Sequence, residues 1–360
     1  MLNTQNIDLL LNDLENNKAT ALFLGSGVDI NYRYPGEEWG ENNTDINRRT
    51  KSKKEKKQKL LYFKYKERIE RKKDFVINWN TLLNELAEYA LLSYEEKKAV
   101  MDGDMDSPMR AAILKFKLGN SYIPIIKNWL YSRCNHDMLE DSLSYFLEYK
   151  KSPSLDKLNK VPFATHFVLA ELILKKKCIR AVFTQNYNNF LTEAIKLLLE
   201  SKKGLKTYRN IHPIDVYDGW KDEAYKENCF LIYHVHGYIP SPSEMIPKQE
   251  SNHIVLTHDE FNDMSKEVYA WQNSSQLHFF THHTCLLWGL SMNDLTSLRL
   301  LRHANLDRSS EKVYWLRGGK DDNGEAANKL KAQYFESQYV YVVNDNDGYN
   351  SLYHKILESI

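Results

Sequence analysis

Cysteine is scarce in this sequence. Four stand in 360 residues, Cys134, Cys178, Cys229 and Cys285, and no two form a Cys-x-x-Cys pair. That excludes a zinc ribbon, and scattered thiols in a chain of this length suit a reducing compartment. Charge of one sign is missing too: 49 basic against 48 acidic residues leave a formal net charge of +1. No global field steers the chain toward nucleic acid or anionic membrane, so any basic surface must be local. No apolar run is long enough to span a bilayer. The start, "MLNTQNIDLLLNDLENN", carries acids early and no cleavable apolar core, so it does not read as a signal peptide. A soluble, cytoplasmic protein is expected.

What is present is an ordinary globular mix, 42% hydrophobic and 27% charged, in a length that suits one large domain with an insertion. Short apolar runs rich in β-branched and aromatic residues recur: "ATALFL" (19–24), "CIRAVF" (178–183), "CFLIYHV" (229–235), "HIVL" (253–256), "CLLWGL" (285–290), "KVYWL" (312–316) and "YVYVV" (339–343). Most are apolar at consecutive positions, as in strands buried on both faces of a parallel sheet. Helical patterns lie around and between them at 7–14, 165–177, 188–204, 293–304 and 348–360, with Asn293 as an N-cap and Gly204 as a C-cap. The alternation predicts an α/β fold, a Rossmann-like doubly wound parallel sheet.

From about 40 to 160 the alternation breaks. "RRTKSKKEKKQK" (48–59) is a basic charge run. It reads as a solvated insert, since no aromatics interleave it. "LLYFKYK" follows, and helical patterns continue through "PMRAAILKFKL" and "YIPIIKNWLYSRC". The prediction is one domain over 1–360 with a mostly helical, partly basic insertion.

Ligands of open α/β sheets bind beyond the carboxyl ends of the strands. There the sequence offers Gly25-Ser26-Gly27 after the first strand, Thr184, Gln185 and Asn186 after the second, and His236-Gly237 after "CFLIYHV". Gly289 and Ser291 flank the "CLLWGL" end, and Asn344 and Asp345 follow "YVYVV". Ile30 stands where a dinucleotide fingerprint has its third glycine, so Gly25-x-Gly27 alone fits a tight turn as well as a nucleotide loop. His234 and His236 alternate, which in a strand sets both on one side. No Asp, Glu or Cys constellation accompanies them, so no metal site is predicted, and His234 reads as a packed, hydrogen-bonded histidine. His278, His282 and His283 in "HFFTHHT" read as a helix surface. Cys229 and Cys285 read as core thiols.

In order and spacing, the Gly25-Ser26-Gly27 loop, "TQNY" (184–187), the His236-Gly237 pair, "GLSMND" (289–294) and the late strand ending in Asn344 resemble the Sir2 (sirtuin) superfamily. The resemblance implies NAD bound in a Rossmann-like fold, with Asn186 and His236 at the positions of the catalytic asparagine and histidine. It implies a cofactor-binding set of Gly25, Ser26, Gly27, Asp29, Thr184, Gln185, Gly289, Ser291 and Asn344. Within that set the glycines approach the pyrophosphate, Gly289 and Ser291 the adenosine half, and Asn344 the adenine ribose or base. Asp29 reads either as an orienter of the glycine loop or as an exposed acid. Asn186 could also cap a helix.

Two departures stand out. The zinc module of sirtuin deacylases is missing, and Asn188 replaces the family's acid. The helical insertion and the "GLSMNDLTSLRLLR" ending look more like prokaryotic Sir2-like proteins of antiphage defence. That likeness implies a glycosidase that cleaves NAD to nicotinamide and ADP-ribose, acting in homo-oligomers or beside a partner such as a HerA-type ATPase. It implies no need for nucleic acid or membrane at the site. The alternatives are a sirtuin-type NAD-dependent deacylase or ADP-ribosyltransferase, and a non-catalytic nucleotide-sensing subunit.

Overall fold

The computed structural model describes residues 4–16, 18–30, 77, 79–201, 208–217, 227–242, 244, 254–266, 270–292, 295–307, 311–318, 325–345 and 348–360. The basic run 48–59, "LLYFKYK", Gly204, Asn293 and Asp294 lie outside them. The described residues form a seven-stranded sheet in which every pairing is parallel, in the order β3-β4-β2-β1-β5-β6-β7. The strands are β1 (Thr20–Leu24), β2 (Ile179–Thr184), β3 (His212–Val216), β4 (Cys229–His234), β5 (Thr284–Trp288), β6 (Val313–Gly318) and β7 (Val340–Asp345). The chain builds outward from β1 on one side through β2 and β4, then returns to build β5, β6 and β7 on the other. The expected Rossmann-like α/β fold is the observed one.

Helices cover both faces. In chain order they are α1 (Thr4–Glu15), α2 (Gly27–Ile30), α3 (Trp79–Tyr89), α4 (Tyr94–Asp102), α5 (Ser107–Leu118), α6 (Tyr122–Arg133), α7 (His136–Lys151), α8 (Leu155–Leu158) and α9 (Ala164–Lys175). There follow α10 (Phe190–Ser201), α11 (His258–Lys266), α12 (Trp271–His282), α13 (Leu295–Asp307), α14 (Glu325–Glu336) and α15 (Tyr349–Glu358). Helices α3 to α8 occupy the stretch between α2 and α9.

The consecutive apolar residues of the strands divide between two cores, as the side-chain period of two requires. Leu22, Val182, Ile232, Leu286, Tyr314 and Val343 point to the face shared with α1, α9, α10 and α15. Phe23, Phe183, Tyr233, Leu287, Trp315 and Val342 point to the opposite face, with α12, α13 and α14. There Phe280, Phe23, Phe183 and Tyr233 stack in series at centroid spacings of 4.0, 5.0 and 4.9 Å. Each buried aromatic or leucine contributes roughly 1.5–3 kcal/mol by leaving water. The sheet's centre is therefore stiff, and its strand ends hold fixed positions.

Two strand expectations are corrected. In "HIVL", whose His253 lies outside the described residues, no strand is formed by 254–256: Ile254 makes a single antiparallel bridge to Gly237, and Ile254 and Leu256 are buried. Its apolar alternation reports burial rather than ladder pairing. Conversely "HPIDV" is the edge strand β3, concealed in the sequence by Pro213 and Asp215. A proline is tolerated at an edge, and only Ile214 and Val216 pack on the sheet's second face. Cys285 is buried as expected, whereas Cys229, at the start of β4, is half-buried.

Candidate functional site

The glycine turn sits at the carboxyl end of the central strand. Its small residues answer to another backbone. The Gly25 N–H donates to the Trp288 carbonyl (2.9 Å) and the Gly27 N–H to the Gly289 carbonyl (2.8 Å). A Cβ on Gly25 would lie 2.5 Å from the Gly289 oxygen, and one on Gly27 would lie 2.6 Å from the Gly289 Cα. Gly289 itself has φ +67°, and a Cβ there would meet the Val28 nitrogen at 2.4 Å. The glycines are thus required by the contact between the β1 and β5 loops. The N–H groups of both Gly25 and Gly27 are engaged inside the protein.

Asn186 belongs to the same turn. Its Nδ2 donates to the Gly25 carbonyl at 3.3 Å, and its backbone N–H donates to Thr184 Oγ1 at 3.0 Å. Both Asn186 and Thr184 are buried. The Gln185 N–H extends the β1 ladder to the Leu24 carbonyl, and its side-chain amide donates to Ser297 Oγ at 3.0 Å. Asn186 does not cap the following helix. Asn188 turns the chain into that helix, its Oδ1 accepting from the N–H of Phe190, the first helical residue, at 3.2 Å.

The strand alternation assumed for the two histidines ends at His234, the last residue of β4. Beyond it Gly237 takes φ +94°, its N–H donates to the His234 carbonyl, and His236 lies in the turn. The two imidazoles consequently have different neighbours. His234 Nδ1 lies 2.9 Å from the Asn186 carbonyl oxygen and its Nε2 lies 2.8 Å from Asp215 Oδ1. The His236 ring is buried edge-on to Phe261, with centroids 5.3 Å apart at 88°. Phe261 is held there by the start of α11. Glu260 accepts from the N–H groups of Leu256 and Thr257 (both 2.8 Å) and pairs with Lys115 of α5. Burial opposes ionisation of Glu260, but Lys115 and those two N–H groups hold its carboxyl below the usual range.

Asp29 is a buried orienter, not an exposed acid. Its Oδ1 meets His166 Nε2 at 2.8 Å and its Oδ2 accepts from Asn188 Nδ2 at 2.9 Å. His166 Nδ1 is buried without a partner. This unit lies beside a small cavity lined by Val28, His166, Thr184, Asn186, Asn188 and His234, among others. A carboxylate is therefore present at this spot, delivered by α2 to Asn188 rather than carried by residue 188. Sequence reasoning missed His166 and Asp215. Their signal was a lone imidazole inside the apolar run of α9, and an acid between two apolar residues of β3.

The remaining candidates spread along the β5–β7 side. Gly289 faces the glycine turn, while Ser291 is exposed, its carbonyl accepting from Lys331 Nζ at 2.5 Å. Asn344 is half-buried near the end of the edge strand β7, in register with Arg317 of β6. Three inter-strand spacings, about 14 Å, separate that strand from β1. Arg317 comes one strand nearer, its guanidinium 5.0 Å from the Trp315 ring centre.

The fold and its crevice define a class: a doubly wound parallel sheet with Gly, Asn and His at the strand ends flanking the switch point beside β1. Residues 180–340 match the model of the SIR2-like domain family. That match, over somewhat less than half of the chain, supports a Sir2-like superfamily member, and Sir2-like domains use NAD. The matched stretch contains Thr184–Asn188, His236 and Gly289; the glycine turn precedes it and Asn344 follows it. No curated protein matches the chain. Among the described residues, no group of three or more His, Cys, Asp or Glu could hold a metal ion. No helix among them is long and apolar enough to cross a membrane.

Proposed function

We propose that this protein is an NAD glycohydrolase, releasing nicotinamide and ADP-ribose. The observation that carries the reading is the Asn186 amide bonded to the Gly25 carbonyl, at the mouth of the central strand. It is joined through its own backbone to His234, two residues before His236. The donor set suits the substrate. An amide and an imidazole can orient ribose hydroxyls, and the buried, unpartnered His166 Nδ1 beside the cavity offers a further polar contact.

Cleaving the nicotinamide–ribose bond passes through an oxocarbenium-like state with a leaving group that is already cationic, so no strong acid is needed. His236 acts as the base toward water or a ribose hydroxyl, a role suited to a group titrating near neutrality. Asn186 holds the ribose hydroxyls or the attacking water. The apolar wall of Phe261 limits water around His236. In the cell the activity would deplete NAD as an antiphage response, in a homo-oligomer or under control of a partner ATPase.

The test is incubation of the purified protein with NAD, with products separated by chromatography. Release of nicotinamide and ADP-ribose in equal amounts, lost in folded Asn186→Ala and His236→Ala variants, is expected. Turnover only with an acylated peptide would replace hydrolysis by deacylation. Bound but uncleaved NAD under every condition would leave a sensing role.

A further inference from the structure

Behind Asn186, on the side away from the glycine turn, three strand ends are tied together by one imidazole. We propose that Asp215 and His234 form a largely enclosed, proton-sharing pair that positions Asn186, and that loss of the shared proton ends activity at alkaline pH. The inference rests on the reading of Asn186 as a substrate-facing group.

The proton count follows from the partners. A backbone carbonyl only accepts, so His234 Nδ1, 2.9 Å from the Asn186 oxygen, carries a hydrogen. Nε2 lies 2.8 Å from Asp215 Oδ1, which also takes the Thr192 hydroxyl at 2.7 Å. With an ionised aspartate, Nε2 must carry a hydrogen as well, which makes the ring an imidazolium. With a neutral aspartate, the carboxyl O–H supplies the same hydrogen. Either form holds one proton more than a neutral imidazole beside a carboxylate. Remove it and one ring nitrogen turns a lone pair either to the carboxylate or to the Asn186 carbonyl at hydrogen-bond distance, so one of the two contacts opens.

The pair is enclosed by other polar groups. The His234 side chain is 1% exposed and that of Asp215 12%. From the segment after β4, the Tyr238 ring lies 4.6 Å from the His234 ring, and its hydroxyl donates to Glu244 at 2.6 Å. Tyr131 of α6 donates to the Ile239 carbonyl, and burial, reinforced by Glu244 and Asp215, keeps its hydroxyl protonated. Helix α10 supplies Thr192 and Lys196; the latter is paired with Glu193 at 2.9 Å and also feels Asp215. His166 of α9 and Asp29 of α2 face each other beside the same cavity. Asp215 thus meets the ring directly, and Glu244 is connected to it through Tyr238.

The ring touches the backbone of Asn186 and not its amide, so His234 and Asp215 are positioning residues. Their pairing also fastens the edge strand β3 to the site, since Asp215 points toward α10 while Ile214 and Val216 pack on the other face.

The experiment uses the full chain. Long-range 15N–1H NMR of the His234 ring, assigned with His234→Gln, is recorded from pH 6 to 10 without NAD. Both ring nitrogens are expected to be protonated at neutral pH. Asp215→Asn should convert the ring to the neutral form with hydrogen on Nδ1, because the new amide can donate to Nε2 while the Asn186 contact stays. Nicotinamide release by the natural chain should then show an alkaline limb that Asp215→Asn lacks. His234→Gln should lower kcat about tenfold with KM little changed, the signature of lost orientation. A neutral His234 ring in the natural chain at pH 7 would overturn the proposal, as would an unchanged alkaline limb in a folded Asp215→Asn. If no variant releases nicotinamide, the glycohydrolase reading fails, and the ring spectra still decide whether the proton is shared.

Discussion

On the β5 side of β1, the crevice is backbone against backbone: Gly25 and Gly27 meet Gly289 with no room for a Cβ. On the β2 side it is built by side chains, with Asn186, Asn188, Asp29, His166 and His234 buried and Asp215 half-buried in hydrogen-bonded sets. The first arrangement fixes where the loops lie and tolerates almost no substitution by volume. The second fixes which atoms face the crevice and tolerates volume but not loss of a donor or acceptor. Damage on the glycine side should therefore appear as lost stability. Damage on the polar side should appear as lost chemistry in a folded protein.

The largest expected effect is on the polar side. Asn186→Ala should lower nicotinamide release about 10³-fold, near 4 kcal/mol in the barrier. Its melting temperature should move little, because a single neutral hydrogen bond contributes only about 1 kcal/mol. A matching collapse of thermal stability would erase the division between the two sides. Next comes Gly289→Ala, with a Cβ 2.4 Å from the Val28 nitrogen and φ +67°. Overpacking and the left-handed backbone together should destabilise the protein by about 3 kcal/mol, read from denaturant midpoints. Wild-type stability there would show that the loops can slide apart.

Asp29→Asn sharpens the comparison, since it keeps the volume while it removes the charge and turns one acceptor into a donor. One carboxylate oxygen accepts from Asn188 and the other meets His166 Nε2. An amide keeps Oδ1 toward Asn188 and turns its NH₂ to His166 Nε2, which leaves the ring hydrogen on the buried, unpartnered Nδ1 at a cost of about 2 kcal/mol in stability, and activity should fall with the lost charge. Unchanged activity would separate this unit from the reaction. The smallest effect is expected at Glu260. Lys115 and the two backbone N–H groups hold its folded carboxyl below the ordinary carboxylate range, so its contribution is complete above that range and is lost as pH falls through the lower, folded value. Glu260→Gln should remove about 1 kcal/mol at pH 7 and less at pH 4. A gap between the two proteins that widens toward acid would reverse the assigned sign.

Six of the seven strands were legible because buried parallel strands must be apolar at consecutive positions. Strand β3 was not, because an edge strand needs only Ile214 and Val216 to pack and can carry Pro213 before them and Asp215 between them. The candidates Asn186 and His236 were legible from their place after apolar runs. The partners that hold the site were harder to read, since His166 and Asp215 come from a helix and a strand whose sequences say nothing of what they face. The glycines were visible as glycines, but the reason for them was not: the surface that excludes their side chains is Gly289, more than 250 residues away.

By itself the sequence determined the layered α/β architecture, because local apolar periodicity decides which segments can be buried on one face or two. It also determined which polar residues end up at the strand termini. Only the tertiary structure decided that a carboxylate reaches Asn188 from Asp29 and that His234 bridges Asn186 to Asp215. Those contacts depend on which strands become neighbours and on directions of side chains fixed by packing, and neither is written in the spacing of residues along the chain.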